Sequence, residues 1–101
     1  MSYNAYEVTD FVRDRIKPII EDFIKKINYE SNYAELDLTG MSVNPYQIWM
    51  ILEDLGYESH SIEDNGWQLD FWMDFTKEGY PTITMAGTGI TFEVKLYAHD
   101  E

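Results

Sequence analysis

A chain of 101 residues with 45% apolar and 16% aromatic side chains carries enough apolar mass for one core. It is therefore read as a single domain over residues 1–101, and a disordered chain is excluded. The formal net charge of −12, from 19 acidic against 7 basic side chains, excludes direct nucleic-acid binding and attachment to an anionic membrane, both of which need basic groups. Without a cysteine the chain forms no disulfide and holds no Cys-ligated zinc. No apolar run approaches the roughly 18–20 residues of a membrane span, and no basic-then-apolar leader opens the sequence. These bounds point to a soluble cytoplasmic protein.

In chain order, Val8, Val12, Ile16, Ile19/Ile20, Phe23/Ile24 and Ile27 recur at helical spacing and predict a helix over 8–27. Thr9 or Asp10 is placed to cap it. Pro18 is expected to kink or divide it, because proline lacks a backbone donor and clashes with the preceding turn. Glu21/Lys25 and Asp22/Lys26 are well-oriented i,i+4 pairs on its polar side. Residues 34–38, AELDL, alternate as a short strand with Leu36 and Leu38 inward.

A second helix is punctuated at both ends. Asn44 is its N-cap, Pro45 suits its first position, and Gly56 suits the left-handed residue after it. Ile48, Trp49, Ile51, Leu52 and Leu55 form its apolar side.

From Tyr57 the period changes to two. A strand over 57–63 leads to Asp64-Asn65-Gly66, a tight-hairpin signal. A strand over 67–76 follows, with Trp67, Leu69, Phe71, Met73 and Phe75 on its inner face. A turn at Glu78-Gly79-Tyr80-Pro81 precedes a strand over 82–86. Gly87-Thr88-Gly89 then turns into a last strand over 90–97, with Ile90, Phe92, Val94 and Leu96 inward. The predicted class is α+β, in the order α-β-α-β-β-β-β, with two helices on one face of a mainly antiparallel sheet.

Charge is unevenly spread. Residues 1–26 hold five basic and five acidic side chains, whereas 27–101 hold only Lys77 and Lys95 against fourteen acids. The stretch DFWMDF at 70–75 raises the question of why a tryptophan sits among carboxylates. Strand alternation places Asp70, Trp72 and Asp74 together on the face turned from the core. The same alternation adds Gln68, Thr82, Thr84, Thr91, Glu93 and Tyr97, with Lys95 the one lysine. A large exposed aromatic ringed by polar groups has the composition of an interface anchor. The partner-binding candidates are therefore Glu58, Glu63, Asp64, Asp70, Trp72, Asp74, Glu93 and Tyr97. Carboxylates two apart on a strand lie roughly 6.6–6.8 Å apart, on the scale of successive phosphates in an extended nucleic-acid backbone.

Signals for catalysis or metal binding are weak. His60, in YESHSI, has serines and acids nearby but no nucleophile elbow and no Gly-rich anion loop. His99 is expected in a frayed tail. The stretch EDNGWQLD has calcium-loop composition, but aligning Gly66 to the invariant glycine puts Trp72 where a bidentate Glu is needed. No metal ligand set, cofactor or catalytic residue is assigned.

In size and charge the chain resembles the small acidic inhibitors of phages and mobile elements, such as anti-CRISPR, anti-restriction and DNA-mimic proteins. That resemblance implies a basic protein partner, such as a nucleic-acid-processing enzyme whose nucleic-acid-binding surface is occupied by an acidic regulator. Two alternatives stand beside it. One is a housekeeping interaction module or homodimer built through the outer sheet. The other is a small enzyme or ligand-binding protein using His60 and nearby carboxylates.

Overall fold

The computed structural model describes residues 7–29, 33–64, 70–88 and 93–99. Its elements run α1 (Asp10–Tyr29), β1 (Tyr33–Asp37), α2 (Pro45–Asp54), β2 (Glu58–Asp64), β3 (Asp70–Thr76), β4 (Thr82–Thr88) and β5 (Glu93–His99). This is the predicted α+β order. The five strands form one sheet in the order β1-β5-β4-β3-β2, and every neighbouring pair is antiparallel.

α1 begins at Thr9, whose hydroxyl accepts from the Val12 amide at 3.3 Å, satisfying one of the donors a helix start leaves open. Pro18 does not divide it: the helix is a single element from Asp10 to Tyr29. Pro18 lies on the exposed side, where its ring clears the core and water can serve the carbonyl it leaves without a donor. The opposite side buries Val12, Ile16, Ile20, Phe23, Ile24 and Ile27.

α2 is closed by a capping box. The Asn44 side chain accepts from the Gln47 amide at 2.8 Å, and the Gln47 side chain accepts from the Asn44 amide at 3.0 Å. Pro45 takes the first turn and Gly56, at φ +96°, the left-handed position that ends the helix. Ile48, Ile51 and Leu52 are buried, with Trp49 and Leu55 packed against them.

Both helices share one core with the inner face of the sheet. Met73 and Phe75 of β3, Ile83 and Met85 of β4, and Val94, Leu96 and Ala98 of β5 are all buried in the same cluster, and Leu38 joins from the end of β1. Trp67, Leu69, Ile90 and Phe92 lie outside the described residues, as does the 64–66 hairpin beyond Asp64. Phe71 is described in its backbone only.

Two cations tie the elements together. Lys17 of α1 meets Asp54 of α2 at 2.6 Å, and this holds the Asp54 carboxyl below the usual range. Lys77 reaches back from the end of β3 to donate to the Leu55 carbonyl at 2.9 Å. Its ammonium also lies 4.6 Å from the Tyr80 ring centre and 5.7 Å from that of Tyr57. It thus closes the C-terminal end of α2, where a positive charge is favoured.

Two predicted boundaries are corrected. Gly87 and Thr88 are strand residues, paired with Val94 and Glu93, and not the turn after β4. His99 is the last residue of β5, paired with Tyr33 and Thr82, and not part of a frayed tail.

Candidate functional site

Because both helices cover the inner face, the outer face of the sheet carries no element of this chain among the described residues. Its composition follows from register. One row runs Glu63, Trp72, Ala86, Lys95, Asp37 across the five strands; the next runs His60, Asp74, Thr84, Tyr97, Glu35. Asp70, Thr88 and Glu93 continue the face at one end, and Glu58, Thr76, Thr82, His99 and Tyr33 at the other. Seven acidic positions therefore share this face with one lysine. Glu63 and Asp70 are placed by backbone register alone.

A bulge decides which residues of β2 belong to it. Tyr57 and Ile62 are both apolar but five apart, an odd spacing that strict alternation would send to opposite faces. The pairing of β2 with β3 shifts between His60 and Ile62: His60 lies across from Asp74 and Ile62 from Met73. One extra residue, Ser61, absorbs the mismatch. Ile62 then occupies the Met73 row of the inner face and Glu63 the Trp72 row of the outer face. Asp64 pairs with Phe71 and so takes a register position of the inner face, apart from the other candidates.

Trp72 is 43% exposed, one of three large exposed apolar side chains among the described residues, with Phe11 and Tyr80. It stands across from Ala86 on β4. Glu58 and Glu93 are exposed; Asp74 and Tyr97 are half-buried. Asp74 is more than a bystander charge, since it accepts the Thr84 hydroxyl proton at 2.7 Å. The Thr84 oxygen also lies 3.0 Å from Nε2 of His99. With its proton committed to Asp74, that oxygen accepts from His99, which fixes the proton on Nε2. His60, exposed near the β2 edge, lies 2.6 Å from the Thr76 hydroxyl. Both histidines are thus bound to outer-face threonines.

Lys95 sits 3.7 Å from Glu35. Its pKa is raised by neighbouring Tyr97 and Glu35, with Asp37 and Glu93 adding, so it stays charged. Asp37 is held below the usual carboxylate range by hydrogen bonds from Thr39, with Lys95 contributing. Over β4 and β5 the outer face dips into an open depression of about 200 Å³ lined by Ala86, Gly87, Thr88, Glu93, Lys95 and Tyr97.

Sequence reasoning found Trp72 and the β3 acids but missed Glu35 and Asp37. Their alternation within AELDL was readable. That β1 would add to β5, and so bring them to this face, was not. Among the described residues no cluster of three or more His, Asp or Glu side chains is arranged to hold a metal ion. No helix there is long and apolar enough to cross a membrane. Comparisons with protein-family models, with curated proteins and with solved structures return no match.

Proposed function

We propose that this protein is an acidic inhibitor or regulator that occupies a basic, nucleic-acid-binding surface of a target enzyme through the outer face of its sheet. One observation carries the reading. A sheet face left uncovered by the helices sets seven acidic register positions and one lysine around a 43%-exposed tryptophan. Such a face attracts a basic partner over roughly a Debye length, about 8–10 Å at ordinary ionic strength, and so speeds encounter. Screened charge does not by itself hold a complex in salt. A tryptophan desolvated at an interface centre contributes about 2 kcal/mol or more, roughly thirtyfold in affinity. Steering and anchoring are thereby divided between the carboxylates and Trp72.

A homodimer through this face would set the same acids against one another, and like charges in juxtaposition cost several kcal/mol. The face suits a basic partner better than a second copy. Catalysis at His60 finds less support, because His60 is exposed near the sheet edge and hydrogen-bonded to Thr76.

The test is capture from a cell lysate on the immobilised protein, with elution by a salt step or by excess duplex DNA. The expected outcome is a nucleic-acid-binding protein released by both, retained poorly by Trp72→Ala, and no binding of the DNA itself. A partner that duplex DNA fails to displace, held equally well by Trp72→Ala, would sink the proposal.

A further inference from the structure

On the outer side of β4, Thr82, Thr84 and Thr88 each present a hydroxyl, and Ala86 alone presents only a methyl. Its neighbours are large: Trp72 directly across on β3, Lys95 directly across on β5, and Tyr97 one row along. On the β5 side of this row the small residues Ala86 and Gly87 floor the depression of about 200 Å³, with Lys95 and Tyr97 beside them. Lys95, which forms one wall, has its ammonium 3.7 Å from Glu35 of β1, so its charge is engaged on the side away from β4. Glu93, exposed and paired with Thr88, stands at the open end.

These parts suit one kind of cation better than another. A guanidinium is planar, weakly hydrated, stacks on aromatic faces and bonds a carboxylate through two parallel donors; an ammonium is a compact, strongly hydrated point charge. One aromatic wall (Tyr97), a floor of Ala86 and Gly87 and the Glu93 carboxylate at one end favour the first. The chain already uses this pairing elsewhere: the Arg15 guanidinium lies 4.8 Å from the Phe11 ring centre. We infer that the depression over Ala86 receives an arginine side chain of the partner, so that the protein selects arginine-bearing basic surfaces over lysine-bearing ones. This rests on the acidic-face reading above and adds a specificity to it.

The experiment is calorimetric titration of the full chain with nona-arginine and nona-lysine peptides, matched in charge, at two salt concentrations. The arginine peptide is expected to bind about fivefold more tightly, the scale of one exposed cation–π contact. Ala86→Val fills the floor without changing charge and is expected to abolish that preference while leaving lysine-peptide affinity unchanged. Tyr97→Phe, which keeps the ring, should retain most of it, and Tyr97→Leu should lose it. Lys95→Met should strengthen both peptides alike. Equal binding of the two peptides by the unsubstituted protein, or a preference that survives Ala86→Val, overturns the arginine inference and leaves the acidic-face reading standing. Failure of both peptides to bind at low salt removes both.

Discussion

Tyr57→Phe is expected to make the protein more stable. Tyr57 is 4% exposed, and its hydroxyl is buried without a hydrogen-bond partner among the described residues. A buried, unpaired polar group costs about 1–3 kcal/mol in lost hydration. The ring's own contacts survive the change: its edge-on meeting with Tyr80, at 6.3 Å and 63°, and the Lys77 ammonium 5.7 Å from its centre. A gain of about 1 kcal/mol is expected, which raises the thermal midpoint by about 4–8 °C for a domain of this size.

The same hydroxyl has a pH signature. Burial, with Tyr80 adding, pushes its pKa up to about 12 from an ordinary value of 10. The unfolded chain therefore releases this proton first. Its contribution to stability is complete below pH 10 and is lost as pH rises through about 12. The gap between Tyr57→Phe and the unsubstituted protein should widen over that window by an amount on the order of 2 kcal/mol. Urea titrations at pH 7, 10 and 11 measure both effects. A variant less stable by 1 kcal/mol or more at pH 7, or a gap constant across pH, would refute the reasoning.

Three further outcomes follow from the sheet and the caps. Asp74→Asn keeps an oxygen to accept the Thr84 hydroxyl and should shift stability by less than about 0.5 kcal/mol, whereas Asp74→Ala should lose about 1; thermal melts showing the reverse order would remove the hydrogen bond as the cause. Deleting Ser61 should be tolerated within a few degrees of midpoint, since Ile62 stays across from Met73 and Glu63 from Trp72. Deleting Thr84 from interior β4 should prevent folding, because every later residue of that strand changes face, and circular dichroism distinguishes the two. Asn44→Ala breaks the capping box and should cost about 1 kcal/mol in denaturant titration.

Elements whose limits are set by local chemistry were legible in the sequence. Asn44, Pro45 and Gly56 bounded α2 because caps and left-handed positions select those residues whatever lies around them. Gly87 misled for the converse reason: glycine reads as a turn, yet in an interior strand it is held by pairing with Phe71 and Val94 on both sides. Trp72 was found outward because its strand alternates cleanly. The membership of the face was only partly legible, since Glu35 and Asp37 reach it through β1–β5 pairing across some sixty residues of chain. No local pattern encodes such a partnership. The bulge did leave a trace, in the odd spacing of Tyr57 and Ile62.

The strand order has a kinetic consequence. β5 is the last of the described elements in chain order, yet it is an interior strand, bonded to β1 on one side and β4 on the other. During synthesis the hairpins of β2, β3 and β4 can form as they emerge, but β1 has no neighbour until residues 93–99 leave the ribosome. Until then, the apolar stripe of α1 lacks part of the surface that covers it. Pairings this distant are slow, because loop closure must precede any contact that rewards it. A nascent chain of this protein therefore stays incompletely folded at least until β5 emerges, exposed to chaperones and proteases. A release-stalled chain with β5 still inside the exit tunnel should be cut readily by protease, and resistance should appear abruptly once His99 is clear.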